Sequence, residues 1–142
     1  MGSQKLMLNE LGIEQKENGY SMKRVKALEL WCHALSAYVR EEAKSLTARQ
    51  QAILMTVALT DGPHTVRGLG AHLNIPGSAV VRSIDKLEDL GYLKRIEDLY
   101  DLRNVYIEYT PEGVRWLQKF GDRILKAEKH NNEILGTEEA LL

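Results

Sequence analysis

The stretch of sequence that decides the fold is Thr65–Gly113, which reads TVRGLGAHLNIPGSAVVRSIDKLEDLGYLKRIEDLYDLRNVYIEYTPEG. An apolar-patterned segment up to Leu73 is followed at 74–77 by NIPG, a combination typical of a tight turn. A second apolar-patterned segment ends before Gly91, and two short alternating runs follow, joined by a charged stretch at 98–103. These signals predict the order helix, turn, helix and β-hairpin.

The second predicted helix has two distinct faces at about 100° per residue. Its apolar residues fall within roughly a third of the circumference; they are Val80, Val81, Ile84 and Leu87. An arc of about 140° facing away from them carries hydroxyls, a methyl group and two cations; its members are Ser78, Ala79, Arg82, Ser83 and Lys86. Such a face suits a DNA major groove, where arginine binds guanine bidentately and small side chains meet the backbone or a thymine methyl. The solvated side of an ordinary amphipathic helix explains the pattern equally well.

The alternating runs predict a two-stranded ribbon. Its second strand has the period-two pattern of a half-buried strand; the inward residues are Val105, Ile107 and Tyr109, and the outward ones are Tyr106 and Glu108. The first strand is expected to contain Leu93 and Ile96, with Lys94 and Arg95 pointing outward. Beside a recognition helix, the ribbon would place Arg103, held by Asp101, over a minor groove. The alternative is a solvated turn with a weak local ion pair. Taken with the two helices, the ribbon predicts a winged helix-turn-helix.

The region Leu46–Leu117 resembles the MarR family of bacterial winged-helix transcription regulators. The wing has the family's D-x-x-D-x-R spacing at Asp98, Asp101 and Arg103, and Tyr109–Gly113 is close to its L-T-x-x-G. Other matching positions are 46–50 (LTARQ), Val66, Leu69, Leu73, Ser78, Val80, Arg82, Asp85, Leu87, Glu88 and Gly91. The resemblance implies a dimeric repressor or activator that binds palindromic DNA. Release by a small ligand or by cysteine oxidation is common in the family.

The chain departs from this family pattern in two places. The wing tip carries Tyr100 and Leu102 where family members usually have cations. The second helix begins with Pro76-Gly77 in place of the usual serine-containing cap. Both departures suggest modest affinity for phosphates.

The charge of the chain is almost balanced. Nineteen Lys and Arg residues stand against 20 Asp and Glu, a net charge of −1. Residues 63–105 are balanced as well, with six cations and six anions; these are Arg67, Arg82, Lys86, Lys94, Arg95 and Arg103 against Asp85, Glu88, Asp89, Glu97, Asp98 and Asp101. Any DNA affinity must therefore come from the segregation of charges between faces.

The 142 residues are enough for one compact core, and we predict four segments. Residues 1–20 form an N-terminal arm, and 21–45 form a dimerisation helix with an apolar stripe from Val25 to Val39. Residues 46–113 form the DNA-binding lobe, whose first helix has a capping box at Thr47 and Gln50. Residues 114–142 form a C-terminal dimerisation helix, ending near Leu135 before Gly136, and a short tail. The predicted fold class is therefore mostly α (α+β), with a two-stranded wing between flanking dimerisation helices.

Few residues suggest chemistry other than DNA binding. The four histidines show no metal-ligand spacing, and no nucleophile–base pair or paired carboxylates are visible, so we expect neither metal, cofactor nor catalysis. The only cysteine, Cys32, lies on the apolar stripe and is expected to be a small core residue; a peroxide-sensing thiol is the alternative. Trp31 and Tyr38 lie off the main stripe, where a ligand cleft and a dimer interface explain them equally well.

The sequence therefore predicts a cytoplasmic DNA-binding regulator that acts as a homodimer on double-stranded DNA. A small-molecule effector is a further candidate partner. We expect no membrane-spanning segment and no signal peptide. Base contacts are assigned to the arc of the second helix, and phosphate contacts at the first helix of the motif to Thr65 and Arg67. Lys94, Arg95, Asp101 and Arg103 belong to the wing. The alternative is a winged-helix module that binds a protein, which the apolar wing tip and the balanced charge favour.

Overall fold

The computed structural model describes residues 19–140, with side chains over 23–133. The predicted arm lies outside the described residues, except for Gly19 and Tyr20, which begin the first helix. Five helices and two strands follow in order: α1 Gly19–Glu41, α2 Ala48–Leu59, α3 Val66–Leu73, α4 Gly77–Asp89, β1 Leu93–Glu97, β2 Val105–Tyr109 and α5 Pro111–Ala140. This is the winged helix-turn-helix order that the sequence predicts. None of the described helices is long and apolar enough to cross a membrane.

The chain divides into two compact units, and the first contains α1 together with α5 from Asp122 onward. Within this unit α1 buries Ala34 and Tyr38, and the guanidinium of Arg123 lies over the Tyr38 ring at 5.4 Å from its centre. The Arg123 Nε donates a 2.8 Å hydrogen bond to Glu41 Oε2, which lowers the pKa of that carboxyl. Asn131 donates to the carbonyl oxygen of Lys26 at 3.1 Å.

The apolar stripe predicted for α1 is not the face that this unit buries. Leu28 and Val39 are 53% and 58% exposed, and Cys32 is also exposed, so its expected place in the core is wrong. The helix carries a second face of small and aromatic residues, and packing selects that face. The spacing of the apolar residues predicts the helix correctly. It does not show which face of the helix packs against the rest of the chain.

The second unit, residues 42–121, contains α2, α3, α4, the two strands and the beginning of α5. The capping box is confirmed: Thr47 Oγ1 accepts from Gln50 N at 3.2 Å, and Gln50 Oε1 accepts from Thr47 N at 2.9 Å. The core of the unit consists of apolar side chains from every element; the largest are Ile53, Leu54, Leu69, Ile84, Leu87, Leu93, Ile107 and Phe120.

The two strands form an antiparallel hairpin. Its register pairs Leu93 with Tyr109 and Glu97 with Val105. The predicted alternation is only partly right, because Ile107 is buried while Tyr109 is largely exposed. Ile107 N also donates to the carbonyl oxygen of His64 at 2.9 Å, which ties the segment before α3 to the edge of β2.

Helix α5 begins as predicted and ends later than predicted. Thr110 Oγ1 accepts from Gly113 N at 3.1 Å, so Thr110 caps the helix that starts at Pro111. The helix then continues through Gly136 to Ala140, so the stop predicted at that glycine is wrong. One internal glycine costs only about 1 kcal/mol relative to alanine, which a long helix tolerates.

Candidate nucleic-acid interface

The turn between α3 and α4 fixes how α4 leaves the lobe. Asn74 adopts the left-handed conformation (φ 53°) that ends α3, and Ile75 N donates to the carbonyl oxygen of Gly70 at 3.0 Å. Pro76 precedes α4 with an extended backbone and offers no side-chain cap. At the far end of α4, Gly91 has φ 81°, a conformation that favours glycine, and turns the chain toward β1.

The exposed face of α4 contains Ser78, Val81, Arg82, Asp85 and Lys86. Neither Arg82 nor Lys86 forms an ion pair with any residue in the described part of the chain. The side chains of these two cations are therefore available to a ligand of opposite charge.

Two members of the predicted arc do not lie on this exposed face. Ala79 and Ser83 are only 5% and 7% exposed, so the prediction that they face away from the core is wrong. Val81, which was predicted on the apolar face, is exposed. The reason is that α4 packs against both α2 and α3, which covers a wider arc than the apolar residues alone indicate.

Arg95 joins the first strand to α4. Its guanidinium binds Asp85 Oδ1 at 2.5 Å and Glu88 Oε1 at 2.9 Å, and its backbone N–H donates to Glu88 Oε2 at 3.0 Å. The hydrogen bond to Asp85, with that to Glu88, raises the pKa of Arg95. The prediction that Arg95 points outward toward DNA is wrong, because its half-buried side chain is bound by two carboxylates of α4.

The wing holds Arg103 as the sequence predicts. Arg103 Nε and its backbone N both donate to Asp101 Oδ1 at 3.1 Å, and the guanidinium otherwise projects into solvent. Asp98 organises the same loop by accepting from Tyr100 N at 2.9 Å, which lowers the pKa of Asp98, and from the Tyr106 hydroxyl at 3.4 Å. The result is a hydrogen-bonded tip that presents one cation.

The remaining side chains of the wing tip are apolar and exposed. Leu99, Tyr100 and Leu102 are 90%, 100% and 72% exposed. A cluster of exposed apolar side chains is more often a contact surface for a partner than part of a loop that meets only solvent. Further down the wing, Lys94 lies 4.0 Å from Glu108 in an exposed pair that contributes little.

The remaining predicted phosphate contacts lie at the start of α3. Thr65 caps that helix by accepting from Gly68 N at 3.0 Å, and Arg67 in its first turn is exposed. One further residue, Arg49, is not among the predicted contacts; it lies in the first turn of α2 and lines the same cavity as Arg82. Its position was quoted as a family match, but only the packing of α2 against α4 brings it beside the exposed face.

The described residues of the first unit form no comparable site. Trp31 is exposed, whereas Tyr38 is buried beneath Arg123, so the two side chains do not share an exposed surface. The Cys32 sulfur lies 3.9 Å from the Ser36 hydroxyl. His33 and His130 are in edge contact with 4.7 Å between ring centres, but no group of three or more metal-ligand side chains exists among the described residues.

Comparisons with known proteins agree with this geometry. Residues 46–113 match the family model of the winged helix DNA-binding domain. The HTH-type transcriptional regulator YkoM of Bacillus subtilis, itself uncharacterized, is 35% identical over 66 residues, which cover 46% of this chain and 43% of that relative. The chain thus spans less than half of the curated relative it matches.

Two solved structures resemble the fold over most of its length. Transcriptional regulator Tm0710 of Thermotoga maritima has a TM-score of 0.69 at 23% identity, covering 88% of this chain and 85% of that one. A mutant of the S. aureus regulator MepR bound to an oligodeoxyribonucleotide has a TM-score of 0.68 at 18% identity, covering 88% and 95%. At these identities the likeness concerns the fold. Residues 46–113 thus match the winged helix DNA-binding domain, and the chain has the fold of MarR-family transcription regulators.

Proposed function

We propose that this protein is a sequence-specific DNA-binding repressor of the MarR type, which binds a pseudo-palindromic operator as a homodimer in the cytoplasm and catalyses no reaction. The observation that carries the proposal is the exposed face of α4, where Arg82 and Lys86 have no carboxylate partner within the described residues, beside a wing that holds Arg103 toward solvent. Helix, turn and wing are the elements that enter adjacent grooves of a duplex.

Each exposed residue receives one role in this proposal. Ser78, Arg82 and Lys86 contact base edges in the major groove, and Arg103, held by Asp101, enters the minor groove. Thr65, Arg67 and Lys94 contact phosphates. Ala79 and Ser83 receive no base contact because both are nearly buried. Arg95 acts as a positioning residue because it fixes β1 to α4.

The first unit supports the homodimer. Leu28 and Val39 of α1 and Leu125 of α5 are more than half exposed, and apolar surface of this kind is usually covered by a partner. A second copy is the partner we propose, because specific sites usually need two recognition helices about 34–36 Å apart. Sedimentation should give a dimer for the native chain and a monomer for Leu28→Glu; a native monomer at micromolar concentration would contradict the proposal.

Selection of binders from a random duplex pool tests the DNA-binding function. The native chain should enrich a palindrome, and Arg82→Ala should relax the preference at the contacted base at a cost of about 1–3 kcal/mol. Arg40→Ala, which removes an exposed arginine from α1, serves as the matched control. An unchanged motif with Arg82→Ala would mean that α4 is not the recognition helix.

Two further partners follow from specific observations. The apolar wing tip favours binding of a protein partner as a second candidate function. In that case the selection would enrich no duplex, and Tyr100→Ser would weaken the contact with the protein partner. A small-molecule effector is proposed by analogy, since MepR has also been solved with ethidium bromide.

A further inference from the structure

A shallow cavity of about 420 Å³ opens between two helices of the second unit. It is lined by the start of α2 and one side of α4; the six residues are Thr47, Ala48, Arg49, Ala79, Arg82 and Ser83. Two of these residues are arginines and none is acidic. The cavity lies at the edge of the exposed face of α4. Of the residues that line it, only Arg82 has a DNA contact in the proposed function.

The start of α2 offers hydrogen-bond donors to this cavity. The first N–H groups of a helix have no intrahelical acceptor. The capping box satisfies the N–H groups of Thr47 and Gln50, which leaves those of Ala48 and Arg49 for an acceptor from outside the helix. The positive end of the helix dipole favours an anion at the same place.

Ser83 supplies an independent sign that a ligand belongs here. The residue is 93% buried and lines the cavity. Its hydroxyl is not among the fully buried atoms that lack a partner, so it keeps some exposure to the cavity, and it forms no hydrogen bond within the part of the chain that the structure describes. Buried polar groups in native proteins are almost always paired. An acceptor that enters the cavity would satisfy the hydroxyl.

The charge of the cavity decides which ligand fits. Neither Arg49 nor Arg82 forms an ion pair within the described residues. The larger cavity of the same unit, about 640 Å³ beside β2, has the opposite character, because its lining includes Asp61 and Glu108 and no lysine or arginine. A phosphate therefore suits the cavity between α2 and α4 and does not suit the other one.

We propose that the cavity between α2 and α4 is a phosphate pocket, which receives a backbone phosphodiester of the DNA next to the bases contacted by α4. The N–H groups of Ala48 and Arg49, the Arg49 guanidinium and the Ser83 hydroxyl hold the phosphate. Arg82 lies at the pocket's edge, so the bound phosphate sets how far its guanidinium enters the major groove. The inference rests on the proposed function, since it names a contact within the same DNA complex.

Salt-dependent binding separates the phosphate pocket from base recognition. Arg49→Ala should weaken binding to the selected site and to an unrelated duplex by the same factor, and should reduce the slope of log K against log salt by about 0.9. Between about 50 and 200 mM salt, the gap between the native chain and this variant should then shrink by about 3.5-fold. Ser83→Ala should weaken both duplexes alike with an unchanged slope, and the control Arg40→Ala should behave as the native chain does.

A duplex with a single neutral methylphosphonate linkage identifies the phosphate itself. When this linkage is placed at successive positions along the site, it should weaken the native complex at one position in each half-site. At that position it should weaken the Arg49→Ala complex by a smaller factor, because the backbone N–H groups and the Ser83 hydroxyl remain. Inorganic phosphate, added to the free protein, should shift the amide resonances of Ala48 and Arg49 where chloride does not. Shifts with free phosphate but no sensitive linkage would assign the pocket to a small anion and overturn the DNA contact.

The two levels of the proposal fail differently. If the native chain binds duplex DNA with a steep salt slope and Arg49→Ala matches the native chain, the phosphate pocket is wrong while the proposed function stands. If the native chain binds no duplex at any salt concentration, both are wrong.

Discussion

Replacing Gly113 with alanine tests how closely the start of α5 packs on the turn that follows α4. A Cβ atom at this position would lie 2.3 Å from the carbonyl oxygen of Tyr92, whereas real Cβ contacts are essentially never shorter than 3.0 Å. The turn would have to move by roughly 0.7 Å or more. The same oxygen accepts a 3.1 Å hydrogen bond from Thr110 N, so the movement also strains the cap of α5.

The expected change in the free energy of unfolding follows from three effects. Overpacking costs about 1–3 kcal/mol, and weakening the Thr110 hydrogen bond adds about 0.5–1.5 kcal/mol. The better helix propensity of alanine offsets up to about 1 kcal/mol. Gly113→Ala should therefore destabilise the fold by about 0.5–4.5 kcal/mol.

Urea unfolding at one fixed protein concentration measures this change, because a dimer's midpoint depends on concentration. Gly121→Ala is the matched control: it makes the same substitution in the same helix, but nothing lies within 4 Å of its added Cβ. This control should stabilise the fold by about 0.5–1 kcal/mol. A midpoint for Gly113→Ala at or above that of the native chain would refute the packing argument.

Three other substitutions test single contacts. Arg95→Ala should lower the free energy of unfolding by about 0.4–2 kcal/mol, since two partly exposed ion pairs are lost, and should weaken DNA binding in titrations because it uncovers two carboxylates on α4; unchanged binding would leave it a purely structural residue. The hydrogen bond from Arg123 lowers the pKa of Glu41. The stability that the ionised Glu41 adds is therefore fully present above the ordinary pKa of 4.5 and is lost as the pH falls through the lower pKa of the folded state. Glu41→Gln should make the urea midpoint less sensitive to acid. The exposed Cys32 should react with thiol reagents faster in the Leu28→Glu variant than in the native chain if a second copy covers α1, and equal rates would place the dimer elsewhere.

The sequence predicts the parts of this fold that depend on local signals. The Thr47–Gln50 capping box, the turn at 74–77 and the D-x-x-D-x-R wing each involve residues a few positions apart, and the structure has all three. The identity of the buried face of a helix depends instead on what packs against it. This is why the helical wheel misplaced Ala79 and Ser83 and why Cys32 was wrongly expected in the core.

The same distinction explains why the candidate site was only partly predictable. Arg95 was identified as a basic residue of the wing, but its partners lie on α4, seven and ten positions earlier, and only the folded hairpin brings them together. Arg49 is nearly thirty positions before the start of α4, so no short motif links it to Arg82. Side chains that only tertiary packing brings together lie far apart along the chain, so they form no short motif that a single sequence would reveal.

The balanced charge of residues 63–105 is the strongest argument against DNA binding, and the ion pairs of the structure answer it. Arg95 binds Asp85 and Glu88, and Arg103 binds Asp101, so two arginines offset most of the charge of three carboxylates and leave a net charge of −1. Within residues 63–105, the cations without an ion pair to any described residue are Arg67, Arg82 and Lys86, all on α3 and α4, and Arg49 lies beside them. A duplex responds to the local field of these unpaired cations more than to the net charge of the chain, because screening limits the reach of distant charges to about 8–10 Å. Near-zero net charge therefore weakens long-range attraction and nonspecific binding, while leaving intact the short-range contacts on which a preferred site depends.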